Sequence, residues 1–447
     1  MRAAGELRVA LRNVSVKALS LGFERVCRFV VVIAAAPALG RAAFGDFVFA
    51  STVTALLALG TDLGLGVWTT RALARSRADS ERVVRLGLTL RGLASVPYAL
   101  AIGLAAAFAA HGPARAAVAL LGVGALVNAY VDHFGAILRG HERFVDEARL
   151  NASRAVLTAG AGLATLTFAR SLTGLCAALA AASVASCAQG LVCVLRLHAR
   201  AAPAGNAQAQ AQTQTRRPVA TFDRALARAA LRQSVPIWIA GLLSVLYFKV
   251  DNLFLRSLSD AAELGAYGAA YKLFEGAMIV PSVVLSVAFP RLARAHRDPP
   301  TQRGLERTIA ALLLGLGAMA ASVCLFGGST LVGLLFGPGF ARSVPCLRIL
   351  ALGLPLLFVN FGLTHFLVAR DLGRMTTWFA LAMLVINVAL NAALVPRQAG
   401  PGAAWATVLT ELALTACCVA GLRMASAWQA GALRSIREAP RTARRAA

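Results

Sequence analysis

About twelve apolar runs, each near 20 residues long, follow one another along this chain, and that pattern limits the fold more tightly than any motif does. In a bilayer an unpaired backbone N–H or C=O costs several kcal/mol, so a run of this length is committed to helix. The runs fall near residues 18–39, 46–67, 86–110, 116–138, 150–169, 172–196, 235–256, 264–290, 308–331, 345–368, 375–396 and 402–423. The composition agrees: 58% of residues are hydrophobic and 15% charged, and the mean hydropathy is +0.68. No soluble domain of this length is so apolar, and the expected fold class is an all-α polytopic membrane protein.

Charge sets the expected topology. Lys and Arg number 45 against 20 Asp and Glu, a net charge of +25. Such an excess suits nucleic acid, but here the cations lie between apolar runs, where orientation in the membrane accounts for them and no nucleic acid is implied. With the N-terminus placed in the cytoplasm, roughly 32 Lys and Arg fall on the inner side and about six on the outer, among them Arg41, Arg115, Arg170 and Arg397. Both termini are therefore expected in the cytoplasm. The basic start followed by an apolar run to Ala36 has the look of a signal peptide, but further runs follow at once and an uncleaved first helix is expected. An Arg- and Ala-rich composition suggests a GC-rich bacterial genome and hence a plasma (inner) membrane.

Between Ala199 and Arg232 the sequence becomes polar and of low complexity, with AGNAQAQAQTQTRRP at its centre. It cannot bury enough apolar surface to order itself. The expected organisation is a six-helix bundle over 1–198, a cytoplasmic linker over 199–232, a second six-helix bundle over 233–426 and a basic cytoplasmic tail over 427–447. Six is even, so the halves enter the membrane in the same sense, as parallel repeats do. Phe44-Gly45-Asp46-Phe47-Val48-Phe49-Ala50 aligns with Leu264-Gly265-Ala266-Tyr267-Gly268-Ala269-Ala270, and counting back from the two glycines brings Arg28 and Lys249 within about one residue of each other. The eight cysteines lie in or beside apolar runs with no CxxC pair, so they read as small buried hydrophobes; neither a metal nor another cofactor is expected.

Several segments resemble the oligosaccharide flippases, the Wzx-type polysaccharide exporters of the multidrug/oligosaccharidyl-lipid/polysaccharide exporter superfamily. They are ALGRAAFGDFVFAS and LGTDLGLG in the first half, and SVPIWIAGLLSVLYFKVDNLFL, ELGAYGAAYKLFE, VAFPRLAR, LLFGPGF and LRILALGLPLLFVN in the second. The resemblance implies two six-helix bundles around a central cavity that opens alternately inward and outward. It implies a polyprenyl-diphosphate-linked oligosaccharide as substrate, a polysaccharide or O-antigen repeat unit for lipopolysaccharide or exopolysaccharide. A polysaccharide polymerase and glycosyltransferases are the implied partners beside the lipid bilayer itself.

The charged residues inside apolar runs are the candidates for chemistry. A charge at membrane depth costs roughly 2.5 kcal/mol or more, so each needs a partner or a task. Arg25 and Arg28, three apart on one helical face, and Lys249 in the second half match the cationic residues that the resemblance places against an anionic head group; Arg also offers a planar fork for phosphate oxygens. Arg28 can instead pair with Glu24 at i,i+4, and Arg25 can snorkel to the interface. Lys249 and Asp251 are about 200° apart around a helix and must find different partners. Asp251 reads either as a proton or cation site for coupling or as half of a structural salt bridge, with Lys272 or an arginine of the first half as its counter-charge. Lys272 and Glu275 sit at i,i+3 and form an expected self-neutralising pair, while Tyr267 and Tyr271 offer ring faces and hydroxyls to a sugar. Asn360, His365, Asn387, Asn391 and Glu411 are the remaining polar groups at membrane depth, and Pro97, Pro281 and Pro355 are hinges or simple kinks.

An enzyme of polysaccharide assembly needs a catalytic group on a sizeable extracytoplasmic loop, and no such loop, nucleotide-binding glycine loop or nucleophile arrangement occurs here, so no catalysis is expected. A cation-coupled multidrug exporter of the same superfamily is the nearer rival. It favours carboxylates in the membrane, whereas here cations outnumber acids.

Overall fold

The computed structural model describes residues 2–76, 79–201, 223–295 and 298–443, and these are helical almost throughout, with no strand among them. The centre of the expected linker, residues 202–222, and residues 444–447 lie outside the described residues. In order, the helices are α1 (Arg2–Asp62), α2 (Leu65–Arg75), α3 (Ser80–Leu104), α4 (Pro113–Gly140), α5 (Phe144–Phe168) and α6 (Leu172–Ala201). They continue as α7 (Arg224–Leu258), α8 (Ala261–Ala277), α9 (Ile279–Arg294), α10 (Pro299–Phe336), α11 (Ser343–Ala369) and α12 (Gly373–Ala443). Residues 224–232, polar enough to read as linker, form the first turns of α7.

Among the described residues, eight helical stretches are long and apolar enough to cross a membrane. Two of them, Gly22–Arg75 and Gly373–Ala425, hold 54 and 53 residues, about 80 Å at 1.5 Å per residue and far more than one crossing needs. Each is folded back on itself. In the first, the corner is Gly40, with φ 77° and ψ 167°, a left-handed conformation that suits glycine. Before it, Glu24 and Val31 lie against Arg154 and Gly162 of α5; beyond it, Gly66 and Leu73 lie against Ala136 and Gly140 of α4. Because α4 and α5 are antiparallel, with Asp132 on Arg154 and Arg139 on Glu147, the chain has reversed between Val31 and Gly66, a stretch that contains the Gly40 corner. In the second, the corner is Ala399 (φ 49°, ψ −124°), and the Asn387 amide reaches the Thr410 hydroxyl at 3.3 Å across the hairpin. The expected helices over 150–169 and 235–256 are α5 and α7; Arg154 lies inside the first, Lys249 and Asp251 inside the second. Counted this way, the twelve expected crossings are all present as helix.

The run 264–290 was expected as one helix and is two. Pro281 has no N–H to give the carbonyl of Ala277, so α8 ends there and α9 starts at Ile279, with Met278 N–H turning to Glu275 O at 3.1 Å. Pro97 and Pro355 stay inside α3 and α11.

The chain divides into two compact units. The first comprises residues 1–245 with 260–265, the second residues 246–259 with 266–447. In the first, α1 breaks after Asp62 at Leu63 (φ 45°) and Gly64 (φ 73°) within the LGTDLGLG segment. The break is held from outside: Trp238 Nε1–H donates to Leu59 O at 2.7 Å, and Gly64 approaches the Ser234 carbonyl so closely that a methyl group would lie 2.6 Å from its oxygen. Arg91 of α3, 1% exposed, donates to Asp62 Oδ1 at 2.6 Å and to Ala129 O at 2.5 Å, tying the break to α4. In the second unit α10 and α11 pack antiparallel, with Gly317 against Pro355, and the Arg370 guanidinium is bidentate on Glu306, its Nε at 2.9 Å from Oε1. Between them the chain makes only a short connection built on a 3₁₀ turn, Pro338–Phe340.

Candidate functional site

In the second unit α7 sets Tyr247, Lys249 and Asp251 two residues apart, so the helix turns Lys249 away from the other two partners' side. Lys249 Nζ lies 3.3 Å from Glu275 Oε1, and Lys272 Nζ lies 2.6 Å from Oε2 of the same carboxylate. The Lys249 ammonium also stands over the Tyr271 ring, 5.7 Å from its centre. The Lys272–Glu275 pair thus forms as the i,i+3 spacing requires, and Lys249 joins it from the neighbouring helix. Glu275 is 40% exposed at its side chain, Lys272 25% and Lys249 16%, so the group meets the surface of its unit.

Asp251 has gone elsewhere. Its counter-charge was expected to be Lys272 or an arginine; instead Oδ2 accepts a hydrogen bond from the Tyr267 hydroxyl and Oδ1 accepts the Asn252 N–H at 2.9 Å. At 2% exposure the carboxylate is satisfied by neutral donors. A matching arrangement lies on α12. Glu411 Oε1 accepts from the Tyr247 hydroxyl, and Oε2 from Asn360 Nδ2 at 2.7 Å, while Thr415 donates to Asn360 Oδ1 at 2.8 Å. Thr407, one turn before Glu411, lies 3.4 Å from the Tyr267 hydroxyl, which links the two carboxylate arms through one helix. The ring faces expected to carry a sugar are not presented: Tyr267 is 0% and Tyr271 3% exposed, because their hydroxyls are drawn inward to Asp251 and to Phe248 O at 2.9 Å.

The first unit holds a second group of charges. Arg28 Nη2 pairs with Glu24 Oε1 at 2.5 Å, the i,i+4 contact, and its side chain is 70% exposed. Arg25 is exposed on the same helix. Sequence reading passed over the centre of this group, Arg154 of α5. Its side chain is 13% exposed and bridges Glu24 Oε2 at 3.0 Å and Asp132 Oδ1 at 2.7 Å. The signal was an arginine inside an otherwise apolar run; its partners are 130 and 22 residues away and had no local cue. Arg91 with Asp62 is a second such pair. Among the described residues no cluster of His, Cys, Asp and Glu has the make-up of a metal site.

Helices of membrane length, with buried carboxylates met by hydroxyl and amide donors, together define a polytopic helical membrane protein. Solved structures carry the same fold. An inward-facing multidrug resistance transporter of the MATE family, in the MOP superfamily, superposes with a TM-score of 0.70 at 15% identity over 91% of this chain and 95% of that one. The lipid II flippase MurJ in an inward closed state also gives 0.70, at 11% identity, over 91% of this chain and 87% of that one. A MOP superfamily transporter of Pyrococcus furiosus, described as having a binding pocket of reversed polarity, gives 0.62 at 14% identity over 93% and 95%. At these identities the likeness is one of fold. The model of the polysaccharide biosynthesis protein family matches residues 10–296, and the chain belongs to that family. An uncharacterized membrane protein of Methanocaldococcus jannaschii is 25% identical over 187 residues, which span 41% of this chain and 43% of that protein, less than half its length.

Proposed function

We propose that this protein moves a polyprenyl-diphosphate-linked oligosaccharide across the bacterial inner membrane by alternating access, without covalent chemistry. The observation that carries this reading is the convergence of Lys249 and Lys272 on Glu275 within the membrane-spanning part of a polysaccharide biosynthesis family member. A diphosphate needs cationic groups where water is scarce, and two ammoniums held by one carboxylate can be handed to an anion without new charges entering the membrane. Arg28 and Arg25, exposed on α1, are proposed as the corresponding contacts of the first unit, with Glu24 and Arg154 fixing the position of Arg28. Tyr271 steadies Lys249 through its ring. Both termini are placed in the cytoplasm on the charge asymmetry of the loops, and a polymerase and glycosyltransferases would make and consume the substrate.

The test is display of the glycan in a strain lacking the chromosomal copy. Lys249→Ala and Lys272→Ala should abolish display at unchanged protein level, and Arg28→Ala should reduce it; full display from both lysine variants overturns the assignment. A second reading, cation-coupled drug export, draws on Asp251 and Glu411, two deeply buried carboxylates that hydroxyl and amide donors satisfy. Asp251→Gln separates the two: loss of drug resistance with intact glycan display favours export of cations. Glycan transport that becomes indifferent to the proton or sodium gradient instead makes Asp251 the coupling site of the flippase.

A further inference from the structure

The first turns of α7 leave one face open. Asp223 fastens the segment by pairing with Arg82 of α3 and by capping the N–H groups of Ala225 and Leu226 at 3.1 and 3.0 Å, and Ala227 and Ala230 are buried in the apolar core of the first unit. On the side away from that anchor, Arg224, Arg228 and Arg232 recur at every fourth residue, which lays them along one stripe about 12 Å long. All three are exposed, and none is in an ion pair among the described residues. Beside the stripe, Ala227, Leu231 and Val235 run parallel to it and, with Leu90 of α3, line an open groove of about 690 Å³. The arginines form its other wall.

An open groove with one cationic and one hydrocarbon wall, at the point where α7 passes from polar chain into its apolar run, complements a phosphate with an acyl chain attached. Free phosphate leaves the apolar wall unused, and a neutral lipid leaves three arginines unanswered. We propose that this cleft between α3 and α7 holds an anionic phospholipid of the leaflet on the linker side, with the phosphate against Arg224, Arg228 and Arg232 and an acyl chain along Leu90 and Leu231. The inference is independent of the transported substrate.

The test uses the full chain in phosphatidylcholine nanodiscs containing a small fraction of phosphatidylglycerol, with retained lipid counted by native mass spectrometry. Wild type should retain phosphatidylglycerol in preference to phosphatidylcholine. Each single Arg→Gln variant should lower that retention about fivefold, since a basic residue near an anionic surface contributes about 1 kcal/mol. The triple variant should lose the preference while melting like wild type in phosphatidylcholine alone. Equal retention by wild type and the single variants, which as exposed substitutions keep the fold, overturns the proposal. Displacement of the retained lipid by millimolar inorganic phosphate overturns it in favour of a simple anion site. Retention of polyprenyl diphosphate but not phosphatidylglycerol overturns it in favour of a substrate contact.

Discussion

Gly45 of α1 and Gly265 of α8 meet backbone to backbone: a methyl group on Gly45 would overlap the Ala261 carbonyl oxygen, and one on Gly265 would overlap that of Arg41. The two glycines mark matching positions in the two aligned segments, and within the first unit they let the helices approach as small residues do in membranes. Ala at either position should therefore cost about 1–3 kcal/mol, the usual range for an overpacked interior, read as a lower melting temperature in detergent. Gly60→Ala, where a methyl meets open space, should have no such effect.

Arg154 and Arg28 share Glu24 but should differ sharply when removed. Arg154 is nearly buried and bridges two acids, so Arg154→Ala should cost about 3–5 kcal/mol by leaving Glu24 and Asp132 without it. Arg28 is largely exposed, and Arg28→Ala should cost at most about 1 kcal/mol. Thermal unfolding of the two purified variants checks the contrast, and it separates the stability of α1 from any loss of glycan display.

Tyr267 and Asp251 satisfy each other, so their substitutions should not add. Tyr267→Phe leaves a buried carboxylate short of a donor and should cost about 1–3 kcal/mol. Combined with Asp251→Leu, it should cost less than the sum of the two single changes, because neither polar group then remains. An additive cycle in melting experiments would show that the hydrogen bond carries no weight.

Ala399 holds φ 49° and ψ −124°, the first corner position of a II′ turn, where glycine is preferred. Ala399→Gly should stabilise the α12 hairpin by about 1 kcal/mol, seen as a higher melting temperature.

Asp223 carries a pH dependence. The Leu226 N–H first, and then the Arg82 guanidinium, hold its carboxyl below the usual aspartate range. A depressed carboxyl contributes stability above its ordinary range and loses it as pH falls through the lowered value. Asp223→Asn should therefore melt below wild type at neutral pH, and the gap should close on acidification.

The helical crossings were legible because a bilayer allows apolar runs only one solution, and Lys272–Glu275 was legible because its spacing is local. The separation of Lys249 from Asp251 followed from helix geometry alone. The partners did not: Tyr267 answers Asp251 across a helix pair, and Asn360 answers Glu411 from 51 residues away. A tyrosine in an apolar run gives no sign of whether its hydroxyl or its ring is offered, which is why Tyr267 and Tyr271 read as a sugar platform and are buried instead. Arg154 is illegible for the same reason, its meaning residing in two distant acids, Glu24 and Asp132. The split of 264–290 follows from Pro281, whose missing N–H leaves the Ala277 carbonyl without its helical partner.

The corner at Gly40 occupies a single residue, so the arms on either side have no slack between them. One arm is phased by Glu24 against Arg154, the other by Asp62 against Arg91. Inserting one residue anywhere between Glu24 and Asp62 rotates one arm by about 100° relative to the other, and one of those pairs must part. The number of residues in this stretch is thereby fixed as firmly as their identity: the hairpin tolerates exchange of one apolar side chain for another far better than it tolerates a change in length.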